Sequence, residues 1–342
     1  MYNLVNPNDY LTSYNFARNA DVVFSEVLST VQFNEIKNSN LKINFENSGI
    51  TSYKIKNFKI TQGDIIFSNS AAIKPLFKYL KNIDSSYNLI LVTHQADYSI
   101  VKSLYLNKPK SIYKWYAINV NHSAKDLIPI PLGIANNYSS KNLITSHFIA
   151  QKNISSSQKE KKLYINLVTS TNYRERDNLS DFFSNQDWVV LKNPDLTLDD
   201  YHKDLQKYQF VLCPWGNGYD THRLWETLYS GSIPVVKYHH TYSNLKGLPV
   251  IFYDNIEELS QEFLNDKFVN LDFSSLEKLN TKYWFDIIKS DQKKGDQSIN
   301  INEKKLYEQY VSISGKMRNR FLSYKKKVLF FKKQLFKVVT KI

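Results

Sequence analysis

Phe210-Val211-Leu212-Cys213-Pro214-Trp215-Gly216-Asn217-Gly218-Tyr219-Asp220-Thr221-His222-Arg223-Leu224-Trp225-Glu226 runs on through Thr227-Leu228-Tyr229-Ser230-Gly231 into Ser232-Ile233-Pro234-Val235-Val236. The apolar run before Pro214 reads as a buried strand. Gly216 and Gly218 let a backbone approach a ligand with no Cβ in the way. Asp220 or Thr221 can cap a short helix, Gly231 can end it, and Ile233–Val236 reads as the next strand. At such a helix mouth, free amides and the helix dipole favour an anion. A phosphate at the end of a strand points to a nucleotide-linked ligand.

Arg223 falls in the first turn of this helix, where its guanidinium can hold a phosphate by two parallel bonds. Glu226 follows three residues later on the same face and can accept from both hydroxyls of a ribose. The alternative is a surface ion pair between the two, worth under about 0.5 kcal/mol. Leu224, Trp225 and Leu228 fall on the opposite side and face inward. Cys213 is the one cysteine of the chain. It excludes an internal disulfide or a cysteine zinc cluster and reads as a core residue.

Outward from this segment, strands alternate with helices. Upstream, Asp64–Ser68 reads as a strand, Ala71–Leu80 as a helix, and Asn88–Thr93 as a strand buried on both faces. Trp115–Val120 reads as another strand. Ile128–Gly133 carries two prolines and suits a strand end or a crossing segment. Residues 151–162 are rich in serine and lysine and read as a linker. The pattern restarts at Leu163–Val168, continues at Trp188–Leu191 and a helix over Thr197–Lys207, and resumes after the opening segment at Pro249–Tyr253 and Ile256–Leu264. A chain of 342 residues suits two domains. The boundaries expected are 1–150, the linker 151–162, a second domain at 163–290, and C-terminal helices with a basic tail at 291–342.

The pattern Leu-Cys-Pro-x-Gly-x-Gly-x-Asp-x-x-Arg-x-x-Glu-x-Leu-x-x-Gly-x-Ile-Pro-Val resembles the donor-binding segment of exostosin-like GT-B glycosyltransferases. Tyr164–Arg176 and Trp115–Gly133 resemble further parts of that family. The first 60 and last 60 residues match nothing in it. The resemblance implies an α/β fold of two Rossmann-like domains with parallel sheets facing a cleft. It implies a nucleotide-sugar donor as co-substrate, with no other cofactor and no metal. It places the diphosphate on Arg223, the ribose on Glu226, and Arg174 or Arg176 in the cleft as a second diphosphate contact. The expected donor-binding set is Gly216, Gly218, Asp220, Thr221, His222, Arg223, Glu226, Arg174 and Arg176. Direct displacement with inversion is expected, onto a glycan or lipid-linked acceptor.

A base must then take the acceptor proton. His94 and Asp97 lie just past the Leu89–Val92 strand, where ligands meet the carboxyl ends of a parallel sheet. Asp97 is favoured over His94, with Asp64 a third choice. Asp199-Asp200 is the one adjacent acid pair of note. It sits at a helix start, where carboxylates complement the dipole whether or not a metal is present.

The formal net charge is +13, and ten Lys or Arg with no Asp or Glu fall between Val311 and Ile342, leaving +3 for the rest. Basicity therefore belongs to the tail, and nucleic acid binding by the body is not expected. Phe321, Tyr324, Val328, Phe331, Leu335, Val338 and Ile342 step by three and four along one helical stripe. Such a basic amphipathic helix can lie on an anionic membrane or fold back onto the protein. No signal peptide and no membrane-spanning run are expected. The setting expected is polysaccharide or glycoconjugate assembly in the cytoplasm, peripheral on the cytosolic face of a membrane. The rival readings are a non-catalytic carbohydrate- or nucleotide-binding protein on the same scaffold and, further off, a nucleic-acid-binding protein.

Overall fold

A computed structural model describes residues 6–149, 156–177 and 179–303. Two sheets organise it. The first has seven strands in the order Leu127–Pro129, Ile112–Ala117, Leu89–His94, Ile65–Asn69, Val22–Ser29, Ile50–Ile55, Leu41–Asn47. The first five run parallel, whereas Ile50–Ile55 and Leu41–Asn47 are antiparallel additions at one edge. This half is therefore mixed rather than wholly parallel. The second sheet is parallel throughout, in the order Val189–Lys192, Glu160–Asn166, Tyr208–Leu212, Ile233–Lys237, Ile251–Tyr253. The two α/β halves, each with a parallel sheet at its centre, border a common cavity.

The apolar runs have a structural cause. In the first sheet Ile66, Leu89, Leu91 and Trp115 enter one core, while Ile65, Phe67, Ile90, Val92 and Tyr116 enter another. In the second sheet Leu163, Ile165, Phe210 and Leu212 fill a core of their own. Tyr164, Val211 and Cys213 point the other way, into the core that also holds Ile65 and Phe67. Period-two alternation thus sends one face of each sheet into a single core shared by both halves. Trp225 lies in that shared core with no exposed surface. Burying a side chain of this size contributes on the order of 2–3 kcal/mol.

Three expectations about domain limits change. The linker read at 151–162 overlaps a strand that begins at Glu160. Lys159 just before it is buried, donating to Leu205 O, Ser230 O and Ser232 Oγ. The helix Thr281–Ser290, assigned by sequence to the second domain, lies against the first: Phe285 meets Phe16 and Thr281 donates to Tyr10 O at 2.6 Å. The 291–342 segment, read as helical, contains the strand Ser298–Asn302, which pairs antiparallel with Asn57–Thr61. The proposed membrane-binding stripe at 321–342 lies outside the described residues. Among the described residues no helix is long and apolar enough to cross a membrane.

Candidate active site

The segment Phe210–Val236 folds as its sequence implies: a buried strand, a loop, the helix His222–Tyr229 and the strand Ile233–Lys237. Gly231 follows the helix with φ of 72°. The capping differs. Thr221 occupies the cap position without a side-chain bond. Asp220 accepts instead from Leu132 N at 2.8 Å and from the Trp225 indole at 2.9 Å, and also from its neighbour Thr221 N. Its carboxylate ties the helix to the crossing segment of the other half. Burial pushes this carboxyl up to about 7 against those bonds.

One glycine of the loop also meets a protein side chain. A Cβ on Gly218 would stand 2.6 Å from Asn119 Nδ2 and 2.8 Å from Oδ1. Asn119, itself at φ of 52°, accepts from Asp220 N at 2.9 Å. The missing Cβ of Gly218 leaves room for the Asn119 carboxamide, and Gly218 also lines the cavity beside the loop. A Cβ on Gly216 meets only ordinary contacts at 3.5 Å and beyond.

A cavity of about 450 Å³ opens at the carboxyl ends of Glu160–Asn166 and Tyr208–Leu212, where ligands meet parallel sheets. The volume suits a small molecule. Its walls from the second half include Asn166, Arg176, Tyr201, Gly216, Asn217, Thr221, His222, Arg223 and Glu226; Asp97, Leu132, Lys141 and Asn142 come from the first.

Arg223 donates to Asn166 O, and its guanidinium lies 5.6 Å from the centre of the Tyr201 ring. Arg176 donates to Trp215 O, Val168 O and Pro214 O at 2.9, 3.1 and 3.3 Å. Among the described residues neither arginine forms an ion pair with a carboxylate. Burial first, and the neighbouring Arg223 second, push the Arg176 guanidinium down to about 10, which still leaves it charged at neutral pH. Two cations therefore border one cavity and repel each other. An anion placed between them relieves the repulsion. Arg174 is exposed and is not part of the cavity wall, so of the two candidates only Arg176 lines it.

Glu226 is buried. It accepts from Leu143 N at 3.2 Å and from Tyr201 Oη at 3.0 Å. Burial raises its pKa, opposed by His222, Arg223 and these bonds. A lone pair on each oxygen remains for a ligand hydroxyl.

Of the candidate bases, His94 fails. Its Nδ1 accepts from Gln95 N at 2.9 Å, so the proton sits on Nε2, which donates to Pro131 O at 3.1 Å. Both nitrogens are occupied in a buried ring, and burial foremost pushes it down to about 3. Asp64 fails by position: it precedes the Ile65–Asn69 strand and accepts from Thr61 N, at the end of the sheet away from the cleft. Asp97 is exposed and lines the cavity. Lys141, Asn142, Asn166 and Tyr201 had no place in the sequence reading of the site. Tyr201 is one turn into an amphipathic helix and reads there as core, while Lys141 reaches the cavity only through the tertiary fold. Among the described residues no group of three or more His, Cys, Asp or Glu is placed to hold a metal ion.

The sequence profile of the RXYLT1 C-terminal domain matches residues 145–330, more than half of the chain. The chain belongs to the RXYLT1 C-terminal domain family. This is a glycosyltransferase family related to exostosin. The resemblance read from Phe210–Val236 therefore holds at the level of glycosyltransferases, and the match is not to exostosin itself. The RXYLT1-type region contains Arg176, Tyr201, Arg223 and Glu226; Asp97, Leu132, Lys141 and Asn142 precede it. No curated protein matches the chain. Among solved structures it is similar to an alpha-glucosyltransferase in complex with UDP-glucose and DNA containing an abasic site. Identity is 12%, 66% of this chain and 80% of that chain are covered, and the TM-score is 0.26.

Proposed function

We propose that this glycosyltransferase moves a sugar from a nucleotide-sugar donor to a glycan or lipid-linked acceptor by direct inverting displacement. Surface polysaccharide or glycoconjugate synthesis is the setting that fits. The supporting observation is the pair Arg176 and Arg223, two charged guanidinium groups on one cavity that form no ion pair with a carboxylate among the described residues, Glu226 acting on Arg223 only at longer range. A diphosphate supplies the missing counter-charge in the ground state. It supplies more as the bond to the anomeric carbon breaks and charge gathers on the leaving oxygen. Glu226, fixed from behind by Leu143 N and Tyr201 Oη, is placed to accept from ribose hydroxyls.

Thermal-shift measurements against UDP-, GDP-, CMP- and ADP-sugars test this reading. The cognate donor at a hundred times its Kd stabilises the protein by about 2.7 kcal/mol. Arg223→Ala removes that shift. If none of the four donor classes raises the melting temperature of the wild-type protein, the donor-site reading fails.

A further inference from the structure

The arginine-lined cavity adjoins a second one, of about 170 Å³. Asp97, Leu132, Asn142 and His222 line both. If the donor diphosphate lies against Arg176 and Arg223, the shared wall is where the donor's anomeric carbon meets whatever occupies the second cavity. Two of the four shared side chains can take a proton, Asp97 and His222.

We propose that His222 is the catalytic base of this enzyme, acting on an acceptor hydroxyl held in the second cavity. The proposal rests on the donor-site reading above. Its foundation is which nitrogen of the ring is free. His222 Nδ1 lies 2.7 Å from Gly133 O. A carbonyl oxygen can only accept, so Nδ1 carries the proton and Nε2 of the neutral ring carries a lone pair. Nε2 makes no hydrogen bond to any described residue. The anchor is itself rigid: Gly133 stands at φ of 72°, and a Cβ there would fall 2.0 Å from Leu11 O. Gly133 thus fixes the ring's tautomer and tilt from the opposite half of the molecule.

The contrast with the other groups at the junction is geometric. His94 also lines the second cavity, but both its nitrogens are taken, with the tautomer reversed. Asp97 lies on an exposed loop, and no described group holds its carboxylate. A base acts through a fixed near-attack geometry, and His222 has the helix and Gly133 to fix it. The imidazolium formed by proton transfer is met by Glu226, whose carboxylate interacts electrostatically with His222.

The step balances. The acceptor O–H proton passes to Nε2, and the oxygen's electron pair forms the bond to the anomeric carbon. The bond from that carbon to the diphosphate oxygen breaks, its electrons leaving on the diphosphate beside Arg176 and Arg223. The imidazolium then gives its proton to water.

The test uses the full chain and whichever UDP-, GDP- or ADP-sugar raises its melting temperature, with nucleoside diphosphate release as the readout. Water serves as acceptor first, then a set of oligosaccharide glycosides. His222→Asn keeps an N–H for Gly133 O and removes the proton-accepting nitrogen. It is expected to leave the melting temperature and donor Kd unchanged and to lower kcat by about 10²–10⁴. Added imidazole is expected to restore part of the rate in His222→Ala, which a purely structural role does not allow. Near-normal kcat in His222→Asn overturns the proposal, as does a defect confined to donor Kd. It is also overturned if Asp97→Asn alone abolishes turnover while His222→Asn does not. If no nucleotide-sugar binds the wild-type protein, the donor-site reading itself is wrong and the proposal falls with it.

Discussion

Arg223 and Arg176 reach one cavity by different routes. Arg223 leaves the first turn of a helix, and Arg176 leaves the short helix Tyr173–Arg176. Their backbone acceptors orient them without neutralising them, so their charge is available to a ligand. Arg223→Ala is expected to lower turnover by two or more orders of magnitude, since a lost charge contact in a dry site costs about 2.7–4 kcal/mol. Turnover within a few-fold of wild type would leave the helix only structural. Arg176→Ala removes three bonds to the Val168, Pro214 and Trp215 carbonyls as well as a charge. It should therefore lower the melting temperature and turnover together, whereas Arg223→Lys should spare stability and still lose the forked contact. Arg223 and Glu226 were legible in the sequence because three residues on a helix place them on one face. The histidines were not. His94 and His222 look alike in a sequence, and only the bonded nitrogen of each separates an inert ring from a basic one. That bond runs to Pro131 in one case and to Gly133 in the other, across the fold.

The loop and helix from Pro214 to Tyr229 work as one element because another part of the chain props them. Asn119 sits under Gly218 and accepts from Asp220 N, so the loop's shape depends on a residue about a hundred positions earlier. Gly218→Ala is expected to displace the Asn119 carboxamide and cost about 1–3 kcal/mol. Urea unfolding reads this as a lower midpoint, and donor affinity falls with it as the loop amides move. An unchanged midpoint would mean the loop stands without Asn119. The elements legible in advance were those with a strong local signature: apolar runs buried on both faces, such as Leu89–His94, and the glycine-bounded helix. The early strands were not. Leu41–Asn47 exposes six of its seven residues, and its edge position leaves no apolar run to find. Asn57–Thr61 pairs with Ser298–Asn302, more than two hundred residues away, a partnership with no local trace in either segment.

At the scale of the molecule, the two halves are joined by a shared core and by polar bonds that cross it. Leu11 N donates to Tyr229 Oη, Asn244 Nδ2 to Pro129 O, and Val120 N to Thr241 Oγ1. Asp220 forms another buried link, to Leu132, and it gives the joint a pH dependence. Among the described residues no cation meets its carboxylate, only N–H groups of Leu132, Thr221 and Trp225, and burial pushes the carboxyl up to about 7 from 3.8. Between about pH 4 and 7 the folded chain keeps a proton here that the unfolded chain has released. At this site the folded protein then binds more protons than the unfolded, so the contribution of Asp220 to stability falls as pH rises through this window. The contribution is present in full below about pH 4 and is lost by pH 7, with a limiting slope of about 1.4 kcal/mol per pH unit in between. Urea midpoints taken at half-unit steps from pH 4.5 to 7.5 read the Asp220 contribution as the difference between the wild-type protein and Asp220→Asn, because Glu26 titrates in the same direction while the buried His94, His202 and His239 titrate in the opposite one. The wild-type midpoint should fall relative to that of Asp220→Asn as pH rises, because the variant's side chain cannot titrate. The variant should also be the weaker protein at low pH, since its amide N–H opposes one of the two donors from Leu132 and Trp225. A variant with the wild-type slope would show that Asp220 is ionised in the folded state throughout, with its three N–H partners outweighing its burial.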